Sequence, residues 1–427
     1  MGPHKNWIAL VVFLAPRFAP ALSLDEAIER AEKEYPDVAA ATAAIDAARA
    51  RVPQAKAWQD PMFALRLYQV PTNFESFPVM WEIAQTIPFP GKLGARGRVA
   101  EASVDVATRE REARALAVRQ RVARAYFRVK AAERLAKVYR EIDSLYAQTL
   151  RLVSSRLSVG PSNLADIPRI EADRAALKID LLEFNASRRL ALIEMAALLG
   201  LRDADAVPRL TTEPALRAVP TATRLVDSTL SRPDIATLSA SINESRAEVA
   251  ARKKEHLPDF MVSASYMANF GGMTDMWSVG VAVNVPLFYR SKQKRAVEEA
   301  EAIVRSRAKR LDTRMLEARL QLDQALERLR IAAAHVRLHT GTLVPLAERA
   351  LHASRTAFAA GQGDLFAILD GVKQLVGHHR DRERYLAEFE ARWADLEEAI
   401  GQRLRGKKIH HGDTESRSME KEKRGGK

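Results

Sequence analysis

The sequence predicts a mainly α-helical protein with a transmembrane β-barrel part, and three observations lead there. The chain states one architecture twice. Each statement contains two strands of membrane-spanning length, and no later stretch is apolar and long enough to cross a membrane as a helix. Pro36-Asp37 recurs as Pro233-Asp234, Pro61 and Phe63 as Pro258 and Phe260, Ile87-Pro88-Phe89 as Val285-Pro286-Leu287, and Leu199-Gly200 as Ile400-Gly401. Gly160 with Asn163-Leu164 recurs as Gly361 with Asp364-Leu365. The offset drifts only from 197 to 201 residues, which marks a duplicated unit far longer than a solenoid repeat.

Residues 1–21 read as a signal peptide. His4 and Lys5 precede an apolar run from Trp7 to Ala15, and Ala19-Pro20-Ala21 places small residues at a cleavage site. The run is too short to anchor the chain across ~30 Å of hydrocarbon. The first repeat occupies 22–200. A helix over 23–56 opens with Ser23 as N-cap and Glu26 three residues later, a capping box. A β-hairpin over 61–88 follows, with Pro71 to Pro78 as its connection. A helical hairpin spans 92–199: a helix free of proline runs to Leu157, Gly160-Pro161-Ser162 breaks it, and a return helix starts at Asn163. Pro168 is expected to kink that return helix. Residues 201–222, with Pro208, Pro214 and Pro220, form the linker.

The second repeat, 223–402, follows the same plan: a helix to about 256, a β-hairpin over 259–287, and a helical hairpin over 290–400. Its long helix is expected to run unbroken from 290 to 360. Within it Leu311, Met315, Ala318, Leu322, Ala325, Leu329, Ala332 and Val336 recur in steps of four and three, a coiled-coil seam. Each long helix would extend roughly 100 Å at ~1.5 Å per residue, so it must find its core in its return helix and neighbours. Residues 403–427 are polar and charged, and read as a disordered tail.

The strands alternate in phase. Trp277, Val279, Val281, Val283, Val285 and Leu287 oppose Ser278, Gly280, Ala282 and Asn284. Phe260, Val262, Ala264, Tyr266 and Phe270 oppose Met261, Ser263, Ser265, Met267 and Asn269, and Phe63, Leu65 and Leu67 oppose Ala64 and Arg66. One apolar phase over ~10 residues suits a tilted strand facing lipid, and aromatic residues cluster near the strand ends as a girdle would. A soluble sandwich has the same alternation. Four strands cannot close a barrel, since small closed barrels begin at ~8, so a barrel requires strands pooled between chains.

Composition excludes much else. The chain has no cysteine, hence no disulfide, thiol nucleophile or cysteine zinc site. The net charge of +13 comes from basic residues interleaved with acidic ones, as in Arg109-Glu110-Arg111-Glu112, which is a solvated helix face and not a nucleic-acid surface. No His-Glu-x-x-His, phosphate-binding glycine loop or nucleophile elbow is present, so neither enzyme activity nor a cofactor is expected. His335 and His339 are spaced to share a metal, but no third ligand is evident and a polar stripe is the better reading. His378 and His379 are helix neighbours and point apart, and the adjacent pair His410-His411 lies in the tail read as disordered. Met261, Met267, Met273 and Met276 gather near Gly271-Gly272. Thioethers suit soft ions such as Cu(I), yet methionine is also ordinary filler at a membrane rim, the reading preferred here.

The ordered whole resembles the TolC-like outer-membrane efflux protein family over about 23–402. Beyond the duplication and strand pairs, two motifs carry the resemblance. One is Gln85-Thr86-Ile87-Pro88-Phe89-Pro90-Gly91-Lys92-Leu93, from strand into helix. The other is the turn Arg156-Leu157-Ser158-Val159-Gly160 with Asn163-Leu164-Ala165-Asp166, echoed by Phe358-Ala359-Ala360-Gly361 and Leu369-Asp370. The resemblance implies a homotrimer with a twelve-stranded barrel in outer-membrane lipid, continued by an α-helical tunnel across the periplasm. It implies a periplasmic adaptor and an inner-membrane pump as partners, met at the hairpin turns through Val159, Gly160, Asn163, Leu164, Gly361, Gly363, Asp364 and Leu365. Asp166 and Asp370 match carboxylates that narrow the closed tunnel, while Ala367 stands where a second carboxylate is common. Pro-Phe-Pro-Gly-Lys-Leu resembles the heavy-metal efflux branch, which tilts the expected cargo to metal cations over drugs, solvents or secreted protein. A periplasmic structural coiled-coil protein stays open as a distant alternative.

Overall fold

The structure, a computed structural model, describes residues 21–68, 77–157, 165–269 and 274–404. The proposed signal peptide up to residue 20, residues 69–76, 158–164 and 270–273, and residues from 405 on lie outside the described residues.

The first repeat begins with two helices where the sequence led us to expect one: α1, Leu24–Glu34, and α2, Pro36–Lys56. The break falls at Tyr35, held extended at φ −73°, ψ 123°, because the ring of a following proline disfavours the helical conformation. Ser23 and Glu26 cap α1 reciprocally as a capping box. Strands β1, Met62–Leu67, and β2, Val79–Ile87, lead into α3, Lys92–Leu157. The return helix α4, Asp166–Leu198, begins after the turn, so Pro168 falls in its first turn. A missing N–H costs nothing there, and the kink expected from the sequence is not required.

The second repeat breaks in the same way. A short α5, Val226–Leu230, ends before Arg232, which is extended ahead of Pro233, and α6 then runs Pro233–Arg252. Strands β3, Asp259–Ala268, and β4, Met276–Asn284, are followed by α7, Gln293–Leu338. The unbroken helix expected over 290–360 is in fact interrupted. A π turn, His339–Leu343, separates α7 from α8, Val344–Ala359. Pro345 is the cause: without an N–H it cannot continue the α ladder, and the wider turn carries the chain past its ring, Val344 N–H bonding to the carbonyl of His339. Helix α9, Leu365–Ile400, completes the repeat.

Two compact units emerge, each drawing on both halves of the chain. One comprises residues up to 35, 118–218 and 330–392. Its core is a zipper of α3, α4, α8 and α9, in which Tyr139, Ile142, Tyr146, Ile170, Ile368 and Val372 are buried at helical spacing. Leu22 pairs with Leu210 in a bridge that ties the chain's start to the linker. The other comprises 36–117, 219–329 and residues from 393 on. It holds the sheet, antiparallel in the order β1-β2-β3-β4. Of the coiled-coil seam, Ala318, Leu322, Ala325, Leu329, Ala332 and Val336 are buried, whereas Met315 is exposed.

Candidate functional site

The strand register sorts every side chain of the sheet onto one of two faces. Residues directly opposite in an antiparallel ladder share a face. Phe63 opposes Ile83, which opposes Ala264, which opposes Val279. One row over, Leu65, Trp81, Tyr266 and Trp277 align, with Trp81 and Tyr266 stacked at 5.8 Å and Tyr266 and Trp277 tilted by 42° at 4.6 Å. The alternation read from each strand therefore adds up to a continuous apolar face, on which Trp277, Val279 and Val281 are 70–79% exposed. The opposite face is polar. Arg66 pairs with Glu82 at 2.8 Å, and the hydroxyls of Ser265 and Ser278 lie 2.7 Å apart. The sheet is open within the chain, with β1 and β4 as edges.

The strand-to-helix motif forms a pinned corner. Pro88 and Pro90 carry no N–H, so ladder pairing stops at Ile87. Gly91 turns the chain at φ 90°, a conformation that penalises any side chain, and α3 starts at once with Lys92. Lys92 is 3% exposed, and its Nζ lies 2.9 Å from Asp259 Oδ1 and 3.9 Å from Glu255 Oε2. Asp259 also accepts the N–H of Phe89 at 2.9 Å, and Lys254 Nζ donates to the Gly91 carbonyl at 3.2 Å. Gln85 donates to the carbonyls of Gln59 and Thr86 at 2.8 and 2.9 Å. These residues lock β2, β3 and α3 together.

Of the hairpin-turn residues, Val159, Gly160, Asn163 and Leu164 lie outside the described residues. The second turn is built on two glycines. Gly361 has φ 86°, and its N–H bonds to the carbonyl of Phe358 at 3.1 Å. A Cβ on Gly363 would meet the Phe358 backbone nitrogen at 2.6 Å, so only glycine fits. Asp364 Oδ1 accepts the N–H of Phe366 at 3.1 Å and caps α9. Leu365 is buried and Phe366 exposed, so the apolar surface offered at this end is that of Phe366, a residue the sequence reading passed over. Arg169 of α4 lies over its ring at 5.1 Å, and Lys373 pairs with Asp173 at 2.9 Å.

Asp166 occupies the first turn of α4, where the helix dipole favours a carboxylate. Asp370 is exposed on α9 and accepts a hydrogen bond from Gln374 at 2.8 Å. The two are not register equivalents. The offset of 201 that aligns Gly160 with Gly361 carries Asp166 onto Ala367 and Arg169 onto Asp370. Asp370 thus stands about one helical turn farther from its hairpin end than Asp166 does from its own.

A further set escaped sequence reading. Glu383, Glu390 and Glu397 recur every seventh residue along α9 and are buried. Glu383 is held by Arg134 and Arg382, Glu390 by Arg217 and the N–H of Ala215, and Glu397 by the N–H of Leu404. Burial alone would raise the Glu383 carboxyl, but the arginines outweigh it and hold it below the usual range. Their regular seven-residue spacing was the only signal available.

Among the described residues no cluster of His, Asp and Glu is arranged to hold a metal ion. His335 packs edge-on against Tyr385 at 4.4 Å, and His339 faces His378 at 5.7 Å, so these rings serve as packing around the π turn.

A family model described as outer membrane efflux protein matches residues 27–201 and 225–402. The cobalt-zinc-cadmium resistance protein CzcC of Cupriavidus metallidurans is 23% identical over 397 residues, spanning 88% of this chain and 93% of its own. Among solved structures, CusC, whose study concerns folding and transmembrane channel formation, aligns with a TM-score of 0.76 at 16% identity over 89% of this chain and 92% of its own. The outer membrane protein VceC of Vibrio cholerae aligns at 0.72, with 19% identity over 89% and 96%.

Proposed function

The chain belongs to the outer membrane efflux protein family, and we propose from that premise that it is the outer-membrane channel of a tripartite efflux system, exporting metal cations. One observation carries the reading: the register gathers the branched and aromatic apolar side chains of four strands onto one exposed face and every charged, serine and threonine side chain onto the other, in a sheet with two open edges. Such a sheet suits lipid on one side and water on the other, once copies complete the barrel. Three chains would supply twelve strands in the outer membrane, with the helices forming a periplasmic tunnel. The likeness to CzcC, named for cobalt, zinc and cadmium resistance, supports metal cations as the cargo.

In this reading the second hairpin end meets the periplasmic adaptor through Gly361, Gly363, Asp364 and the exposed Phe366, and the adaptor joins the channel to an inner-membrane pump. Asp166 and Asp370 face the tunnel as two tiers, and threefold symmetry brings each carboxylate together with its own copies. Such tiers attract polyvalent cations. Replacing both residues by asparagine should weaken block of single-channel current by polyvalent cations in planar bilayers. Block as strong as in the parent would move the constriction elsewhere.

The decisive test is on the sheet. Detergent-solubilised protein should have the mass of a trimer and conduct in bilayers. Val281→Arg should cost roughly 2–4 kcal/mol in the membrane, while Ala282→Arg, on the other face, mainly changes conductance. Equal damage at both positions, or a folded monomer that spans the bilayer, defeats the reading.

A further inference from the structure

We propose that the polar face of the sheet carries a soft-metal site, built from the thioethers of Met80, Met267 and Met276 and suited to the monovalent ions Cu(I) and Ag(I). The register makes the case. Met80 is the direct partner of Met267, and Met267 of Met276, so the three form one row across β2, β3 and β4. Partners in adjacent strands have Cβ atoms about 5 Å apart. Methionine has three rotatable side-chain bonds, enough to bring two or three sulfurs onto one ion. The Tyr68 hydroxyl lies 3.9 Å from the Met80 sulfur at the same level and orients it. Arg66, next in the row on β1, is tied to Glu82, so its cation is compensated.

Rim filler does not account for this placement. On the polar face every apolar side chain larger than alanine is a methionine: Met62, Met80, Met261, Met267 and Met276. The other face is rich in Val, Ile, Leu, Phe and Trp and holds no methionine. Were methionine serving as an adaptable hydrophobe, it would be shared between the faces, and the apolar face is where a hydrophobe belongs. Segregation onto the water-facing side selects for the sulfur. Met261 stands six residues along β3 from Met267, about 20 Å at ~3.3 Å per residue, and is not part of the row. Met273 lies outside the described residues.

Thioethers favour soft ions, whereas Zn(II) and Co(II) prefer imidazole, carboxylate or thiolate. A thioether carries no proton at any physiological pH, so binding needs no deprotonation, unlike a histidine or carboxylate site. The inference deepens the efflux reading, on which the lumenal placement of this face rests, and narrows the cargo to soft cations.

The test titrates Ag(I), in chloride-free buffer, into the full-length protein in detergent. We expect saturable binding that is unchanged between about pH 5.5 and 7.5. Affinity should fall at least roughly tenfold in a Met80→Leu, Met267→Leu, Met276→Leu variant, whose volume-conserving changes keep the fold. A Met62→Leu, Met261→Leu variant, which removes thioethers outside the row, should bind as the parent does. Ag(I) affinity retained within about threefold in the triple variant overturns the site, as does an equal loss in the control variant. Single-channel recordings of the same proteins separate the two readings: absence of conductance in all of them defeats the channel, while the titration still decides the metal site.

Discussion

At the end of β2 the chain enters α3 through Pro88-Phe89-Pro90-Gly91-Lys92. At the end of β4, 198 residues on, the aligned residues are Pro286-Leu287-Phe288-Tyr289-Arg290. In the first junction Phe89 stacks on Phe260 at 6.4 Å and Lys92 is buried on Asp259. In the second, Leu287 and Phe288 are 81% and 74% exposed, Arg290 is exposed, and α7 begins only at Gln293. A polar cleft of 360 Å³ opens between the two junctions, walled on one side by Lys92, Glu255 and Asp259 and on the other by Leu287, Phe288 and Lys292. The difference follows from position in the sheet. Strand β2 is flanked by β1 and β3, so its exit is enclosed and must be satisfied from within the chain. Strand β4 is an edge, and its exit stays open on the side where a further strand would pair. One duplicated backbone has thus been given a closed corner and an open one.

The sharpest way to break this comparison is to remove the two cations in turn. Lys92→Ala leaves Asp259 without its cation at the wall of the cleft, while Glu255 keeps Arg96 at 3.0 Å. Both carboxylates keep partial solvent access, so the loss should be about 2–4 kcal/mol, toward the low side of a broken buried pair. Arg290→Ala should stay within about 0.5 kcal/mol, as an exposed position without such a feature does. Denaturant melts of the detergent-solubilised protein measure both. Similar losses would mean that the second corner is as closed as the first.

Much of this was legible in the sequence, for reasons that particular residues make clear. Strand phase needs only a period of two, so the face of Val279 or Ser278 could be read before its partner was known. Helix α3 was bounded by Gly91 and by the Gly160-Pro161-Ser162 run in the sequence after Leu157, both strong punctuation. Where prolines act inside a helical pattern the reading failed. Pro36 and Pro233 split what looked like single helices, because the residue before each is pushed into the extended region, and Pro345 forced a π turn into α7–α8. Register was also hidden. The sequence offered Met261, Met267 and Met276 as a loose group, but which of them are neighbours depends on strand pairing, and Met80 was not in view at all. The buried glutamates of α9 were illegible because burial of a carboxylate is decided by arginines such as Arg134 and Arg217, far away in the chain.

A smaller effect sharpens the contrast at the turn itself. Gly91 has φ 90°, where a β-carbon costs about 1–2 kcal/mol. The atom a new Cβ would meet first, Lys254 Nζ at 2.6 Å, is the end of a flexible side chain and can move aside. Gly91→Ala should therefore destabilise by the backbone term and by the exposed Lys254 hydrogen bond given up as that side chain moves aside. Tyr289, its counterpart, packs its ring edge-on against His256, with ring centroids 5.8 Å apart. Tyr289→Ala should cost about 0.5 kcal/mol, the lower end for such an aromatic contact. A Gly91→Ala variant as stable as the parent would show that the closed corner is held by its ion pair and not by its turn.

The smallest effect on the fold, and the most telling about assembly, is expected at Leu287. Its side chain touches little within the chain, so Leu287→Ala should leave the unfolding of an isolated protomer within about 0.5 kcal/mol of the parent. Phe89→Leu, by contrast, removes the stack on Phe260 and should cost about 0.5–1.5 kcal/mol. The ranking should reverse when association is measured. If a second copy pairs with the β4 edge, Leu287 and Phe288 lie at its border, and burying a leucine there contributes about 1.5–3 kcal/mol. Leu287→Ala would then lower the detergent concentration or temperature at which the proposed trimer dissociates, while Phe89→Leu would not. If Leu287→Ala leaves the trimer untouched, the open corner faces lipid or water and not another protomer, and the edge at β4 must be closed by pairing of the backbone alone.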